Sequence, residues 1–217
     1  MRNTHAKIGS MVLLAGLVVG LTAGTTTTAV AGPASVACAA TSAHSPSQAA
    51  GPSDCDPVGT PVNLGDPTPG ATDNWQRTKT NGVGYKIPAK WTGHKIVGDG
   101  GKGHEWESRK VIISDEFGDL HWRILVQSPF VNQEMPDPEE LNELGFYASY
   151  IEVEGASEAV LVAAQTGHWA DASVKTIDFQ VFVESERTGV VTRFMGELPP
   201  GKKGKFLLNN FVPTIRP

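Results

Sequence analysis

All sixteen aromatic residues of this chain lie at or beyond Trp75, and that partition constrains the fold more than any motif does. Residues 32–74 hold no Phe, Trp or Tyr but seven prolines, at 33, 46, 52, 57, 61, 67 and 69, among Ser, Thr, Ala and Gly. Such a stretch cannot bury enough apolar surface to offset the entropy of ordering it. Its composition predicts a Pro/Ala/Ser-rich disordered or extended linker over 32–74, which holds a domain away from its attachment point. The folded part is then expected over 75–217 as one domain. A domain of about 150 residues buries roughly 68–70% of its unfolded surface, so neither a metal nor a disulfide is needed to hold it.

The N-terminus carries an export pattern. Arg2 and Lys7 precede an eleven-residue apolar run, Met11 to Leu21, and a small-residue stretch ends in Ala29-Val30-Ala31. A positive start, a short apolar run and an A-x-A site make residues 1–31 a secretory signal peptide, with the mature chain beginning at Gly32. Crossing the ~30 Å hydrocarbon core takes about 20 apolar residues, so eleven are too few. No later run is longer, so no transmembrane segment is expected after cleavage. The product is expected to be secreted and extracellular. In an oxidising compartment Cys38 and Cys55 read as a possible disulfide. The alternative is lipid anchoring on the cell envelope through Cys38. Against it, Ser35 stands three residues before Cys38, where a lipoprotein signal carries an apolar residue.

Charge narrows the partners. The whole chain has a formal net charge of −5, and residues 75–217 hold sixteen Lys and Arg against nineteen Asp and Glu. With no basic face in the sequence, nucleic acid and anionic membrane surfaces are not expected partners.

Strands dominate the domain. Gly82 to Ile87 is a strand stopped by Pro88, and Trp91 to Val97 reads as its antiparallel return. Glu105 to Ser114 is extended, Asp115 to Asp119 turns, and Leu120 to Gln127 alternates Leu120, Trp122, Ile124 and Val126 with His121, Arg123 and Gln127. Asp137 is a good N-cap, with Pro138, Glu139 and Glu140 suited to a first helical turn. Leu141, Leu144, Ala148 and Ile151 continue at helical spacing. Val160 to Ala164 reads as a short buried strand. A hairpin follows, with Ile177, Phe179, Val181 and Val183 on one face and Val190 to Leu198 returning. Lys205 to Val212 fits a terminal helix or a last strand. Hairpins with one or two segregated helices predict an α+β domain, an antiparallel sheet with helices packed on it.

No catalytic or metal motif survives inspection. His104-Glu105-Trp106-Glu107-Ser108 lacks the second histidine of a zinc-protease helix. Gly155-Ala156-Ser157-Glu158-Ala159 ends in Ala where a nucleophile elbow needs Gly, and a strand follows it. The glycines around Lys102 lack Walker spacing, and Asp115 with Asp119 supplies too few oxygens for calcium. Glu139, Glu140 and Glu143 are the exposed face of a helix. A composite site from His104, His121 and His168 leaves no spacing to read. No cofactor is implied.

In order of elements the domain resembles the PsbP-like family, the fold of the extrinsic photosystem subunit and of small actinobacterial cell-envelope proteins. Gly84-Tyr85-Lys86-Ile87-Pro88-Ala89-Lys90-Trp91 at the opening and Leu207-Leu208-Asn209-Asn210-Phe211-Val212-Pro213 at the close carry the likeness. The resemblance implies a final helix and a non-enzymatic module that accompanies an envelope complex or binds a partner. That partner is expected to be an extracellular protein or a cell-wall component. Trp91, Trp106, Trp122 and Trp169 are candidate contact aromatics if exposed. An apolar small molecule held between sheet and helix is the alternative, and an extracellular hydrolase a third reading. An apolar cavity of about 300 Å³ would mark the second.

Overall fold

A computed structural model describes residues 59–98, 101–115, 118–131, 134–168 and 171–217. The expected signal peptide over 1–31, Cys38, Cys55, Trp169 and the expected linker up to residue 58 lie outside the described residues. The fold below is that of the unit Cys55–Ser114 with Asp119–Pro217.

The architecture is α+β. Its strands are β1 (Thr60–Pro61), β2 (Gln76–Thr80), β3 (Val83–Ile87), β4 (Thr92–Gly98), β5 (Gly101–Asp115), β6 (Gly118–Gln127), β7 (Ala148–Tyr150), β8 (Ala156–Gly167), β9 (Lys175–Ser185) and β10 (Val191–Leu198). Two helices join them, α1 (Pro138–Glu143) and α2 (Gly201–Phe211), and a 3-10 turn follows at Val212–Thr214. One sheet runs in the order β1-β8-β9-β10-β6-β5-β4, with β7 also paired to β8. β2 and β3 form a separate hairpin. None of the described helices is long and apolar enough to cross a membrane.

The inner face of the sheet carries the core. Ile177, Phe179, Val181 and Val183 of β9 alternate inward, beside Phe194 and Leu198 of β10, Ile124 and Val126 of β6, and Leu161 and Ala163 of β8. The β2–β3 hairpin covers this face with Val83, Tyr85 and Ile87, and α2 covers it with Leu208 and Phe211. Four aromatic rings meet edge to face here: Phe194 lies 5.6 Å from Phe211 and 5.4 Å from Tyr85, and Phe179 lies 6.2 Å from Phe211. Such edge-to-face pairs stabilise by about 0.5–1.5 kcal/mol beyond their area. The chain end closes the hairpin, since Gly84 and Arg216 exchange backbone hydrogen bonds at 2.8 Å.

Four readings of the sequence change. The linker does not extend to residue 74: β1 pairs with β8, Val62 is buried, and Leu64 packs on the core. This strap needs no aromatic residue, because α2 satisfies its backbone. Asn209 Oδ1 accepts the Gly65 N–H at 3.1 Å and Asn210 Oδ1 accepts the Thr68 N–H at 2.8 Å. The return strand of β3 is β2, not β4, which pairs along its length with β5. The helix begun at Asp137 is capped as expected, with Oδ1 accepting the Glu139 N–H at 2.8 Å, but ends at Glu143. Gly145 at φ +84° stops it, and Asn142 bonds both backbone groups of Ala148, which starts β7 there instead of a further turn. The segment around Val160 to Ala164 is a twelve-residue strand. The hairpin β9–β10 stands where alternation places it, and the ambiguous tail is helical.

Candidate functional site

The polar chemistry of the domain gathers on the opposite, outer face of the sheet. β10 is its middle strand and places Phe194 and Leu198 inward, so Arg193, Met195 and Glu197 point outward. The register then sets three rows across the strands. The first runs Tyr150, Val160, Phe182, Arg193, Gln127; the second Ala148, Val162, Gln180, Met195, Leu125; the third Ala164, Asp178, Glu197, Arg123.

The first row lies under the segment after β6. Phe130 donates its backbone N–H to Val191 O at 2.7 Å and sets its ring 5.6 Å from that of Phe182. Met135 and Val162 pack against the same cluster. The Arg193 guanidinium lies 4.7 Å above the Phe130 ring, and donates from Nε and Nη2 to Gln127 Oε1 at 2.9 and 2.5 Å. Burial lowers its pKa to about 10.

The third row is a chain of alternating charge. Arg123 Nε donates to Glu197 Oε2 at 3.1 Å, and Arg123 Nη1 lies 3.6 Å from Glu105 Oε1. His94 Nε2 stands 3.2 Å from Glu105 Oε2 at the sheet margin. On the other side His168, fully buried, brings Nε2 to 3.6 Å from Glu197 Oε2. Asp178 accepts from Thr166 Oγ1 at 2.5 Å and Thr176 Oγ1 at 2.7 Å. Burial pushes the Glu197 carboxyl up to about 7; Arg123 opposes that shift and Asp178 adds to it.

Between these rows Met195 is buried, while Val162, Gln180 and Leu125 around it are partly exposed. With rise near 3.3 Å per residue, Arg193 and Glu197 stand about 13 Å apart along β10. The outer face thus carries a strip of Val162, Gln180, Met195 and Leu125 with Arg193 on one side and Glu197, whose carboxyl burial holds above its ordinary value, on the other.

The tryptophans are placed elsewhere. Trp106 is buried, lies over Gly93 and donates its indole N–H to Tyr85 Oη at 3.1 Å. Trp122 is buried and Trp91 packs against the core. None of these three offers an exposed ring. The composite histidine site does not form: His104 bonds Thr80 Oγ1 at 3.0 Å and stacks on Trp106, while His168 sits at Glu197. Among the described residues no three His, Cys, Asp or Glu side chains group to hold a metal. Ser157 lies at the start of β8 and donates to Glu184 Oε2 at 2.9 Å, without a histidine.

Two clefts lie near β1. One, of about 250 Å³, is lined by Thr60, Pro61, Val62, Gln165, Gly201, Lys202 and Lys205; the other, about 120 Å³, lies against Asn142, Tyr147 and Leu161. Both fall short of a volume that encloses a drug-sized ligand, and neither is lined by Arg193 or Glu197.

The sequence reading missed Arg193 and Glu197. The available signal was two charges four positions apart on one face of a strand whose other face carries Thr192, Phe194, Gly196 and Leu198. No protein-family model and no curated protein sequence matches this chain.

Proposed function

We propose that this protein is a non-enzymatic binding module of the exported compartment, of PsbP-like fold, whose outer sheet face engages an extracellular protein or a cell-wall component. One observation carries the reading. The inner face is covered by α2 and the β2–β3 hairpin, whereas Val162, Gln180 and Leu125 of the outer face stay partly exposed between the rows of Arg193 and Glu197. A partly exposed strip with charges at its margins suits a surface partner, since interfaces join an apolar centre to a polar rim.

Photo-cross-linkers placed singly at Leu125 and Gln180 on the outer face, and at Lys203 on α2, test it on intact cells. The same component captured from both outer positions, and protection of that strip from hydrogen exchange by the purified component, is expected. Capture from Lys203 alone would reject the outer face. A denatured mass equal to Gly32–Pro217 less two hydrogens is the outcome expected for export with a Cys38–Cys55 disulfide. A mass beginning at an acylated Cys38 would replace release by anchoring.

A further inference from the structure

Net charge conceals a division of the domain. The layer that covers the inner sheet face, residues 75–91 and 199–217, carries eight Lys and Arg and no Asp or Glu, whereas residues 92–198 carry eight against nineteen. The sequence shows no basic face because these cations come from its two ends. In the folded hairpin Val83, Tyr85 and Ile87 turn inward. Arg77, Lys79 and Lys86 share the other side of that hairpin by register and so turn away from the sheet. On α2, Gly204, Leu208 and Phe211 are buried, and helical spacing sets Lys202 and Phe206 opposite them, with Lys203 and Lys205 flanking. These three lysines are exposed, and Phe206 is 43% exposed among them. Among the described residues only Arg216 of the eight cations has an ion pair, with Glu154 at 2.8 Å. The strap beside α2 adds two acids, Asp66 and Asp73, which leaves cations in excess.

Folding does not ask for these side chains. The first turn of α2 holds no acid and its N-cap, Pro200, makes no side-chain bond, so lysines there meet the positive end of the helix dipole. An exposed ring gains nothing from the core. We propose that this layer docks on an anionic phospholipid bilayer, with the lysines at the headgroups and the Phe206 ring in the apolar boundary beneath them. A soluble polyanion or an acidic protein would be met by charge alone. The exposed ring among lysines selects a bilayer, whose interface takes an aromatic body while cations stay at its anionic surface. The outer sheet face points the other way, so docking leaves it free for the partner proposed above.

Flotation of the full mature chain with vesicles tests this. Binding is expected to vesicles of equal parts phosphatidylglycerol and phosphatidylcholine, not to pure phosphatidylcholine, and should weaken at high salt. Each lysine near an anionic lipid surface strengthens binding roughly fivefold. Lys202→Gln with Lys203→Gln should therefore weaken it about 25-fold, while the melting temperature stays level or rises because the helix dipole is relieved. Lys110→Gln with Arg187→Gln, the same charge change on the sheet, should weaken binding far less. Phe206→Ala should weaken binding to vesicles and leave any binding to polyphosphate unchanged. If the double lysine variant melts lower, Lys202→Arg with Lys203→Arg keeps both charges and should bind as wild type. Equal binding to both vesicle types, or an equal loss from the sheet pair, overturns the proposal. So does vesicle binding that ignores Phe206→Ala, which assigns the layer to a polyanion. A salt-sensitive dimer in sedimentation velocity that Lys202→Gln with Lys203→Gln abolishes, without vesicle binding, assigns it to the acidic sheet of a second copy. Cross-linking at Leu125 and Gln180 reports on the opposite face and is independent of these outcomes.

Discussion

Arg123 reaches Glu197 across the β6–β10 pair, Nε to Oε2 at 3.1 Å, yet the carboxyl it touches is raised to about 7 rather than lowered. Burial wins over the ion pair because Glu197 is 7% exposed and the partly exposed Arg123 is shared with Glu105. The sign of the linkage follows. A group whose folded pKa exceeds its unfolded value takes up a proton on folding. Its contribution is therefore fully present below the ordinary carboxyl value of 4.5 and is lost as pH rises through about 7. The loss is on the order of 3 kcal/mol. Urea unfolding of the wild type should weaken between pH 5 and pH 8, and Glu197→Gln should flatten that decline. A variant less stable than wild type at pH 8 would show that the Arg123 pair outweighs burial.

The buried Tyr85 hydroxyl joins three elements: it accepts the Trp106 indole N–H at 3.1 Å and shares a 2.7 Å hydrogen bond with Thr80. Tyr85→Phe keeps the ring in place between Phe194 and Phe211 but strands the indole donor. An unsatisfied buried donor costs about 1–3 kcal/mol. Denaturant unfolding followed by tryptophan fluorescence should show a loss in that range, with the slope of the transition unchanged.

A side chain at Gly196 has no room. A Cβ there would stand 2.1 Å from the carbonyl oxygen of Arg123, so the β10–β6 pair must separate to admit it. Gly196→Ala should cost about 1–3 kcal/mol, the usual range for overpacking, and should disturb the third row as well. Gly84→Ala is the control: its Cβ finds nothing nearer than 3.8 Å. Equal melting temperatures for the two variants would contradict this placement.

Truncation tests the strap. A chain beginning at residue 75 loses the β1–β8 pairing, the buried Val62 and both asparagine-to-backbone bonds from α2. It should melt well below a chain beginning at residue 59, by several degrees for each kcal/mol lost. Coincident melts would return residues 59–74 to the linker.

The strap also shows where composition misleads. Proline and the absence of aromatic rings describe what a segment cannot build alone, and they say nothing of a groove prepared by Asn209 and Asn210 more than 140 positions later. Local signals fared better where the physics is local. The Asp137 cap formed because side chain and backbone donor lie two residues apart, and β9–β10 formed because alternation and a short turn specify their own partner. By contrast β4 lies beside β5, its neighbour in sequence, while β3 is satisfied by β2.

By itself the sequence determined the class of the domain and most of its strands, because a strand's period and a helix's cap are written within a few residues. Only the tertiary structure decided the candidate site. Arg193 meets Gln127 from 66 positions away, and Glu197 meets Arg123 from 74. Strand register brings them together, and register depends on the packing of the whole sheet, which no local window of residues contains.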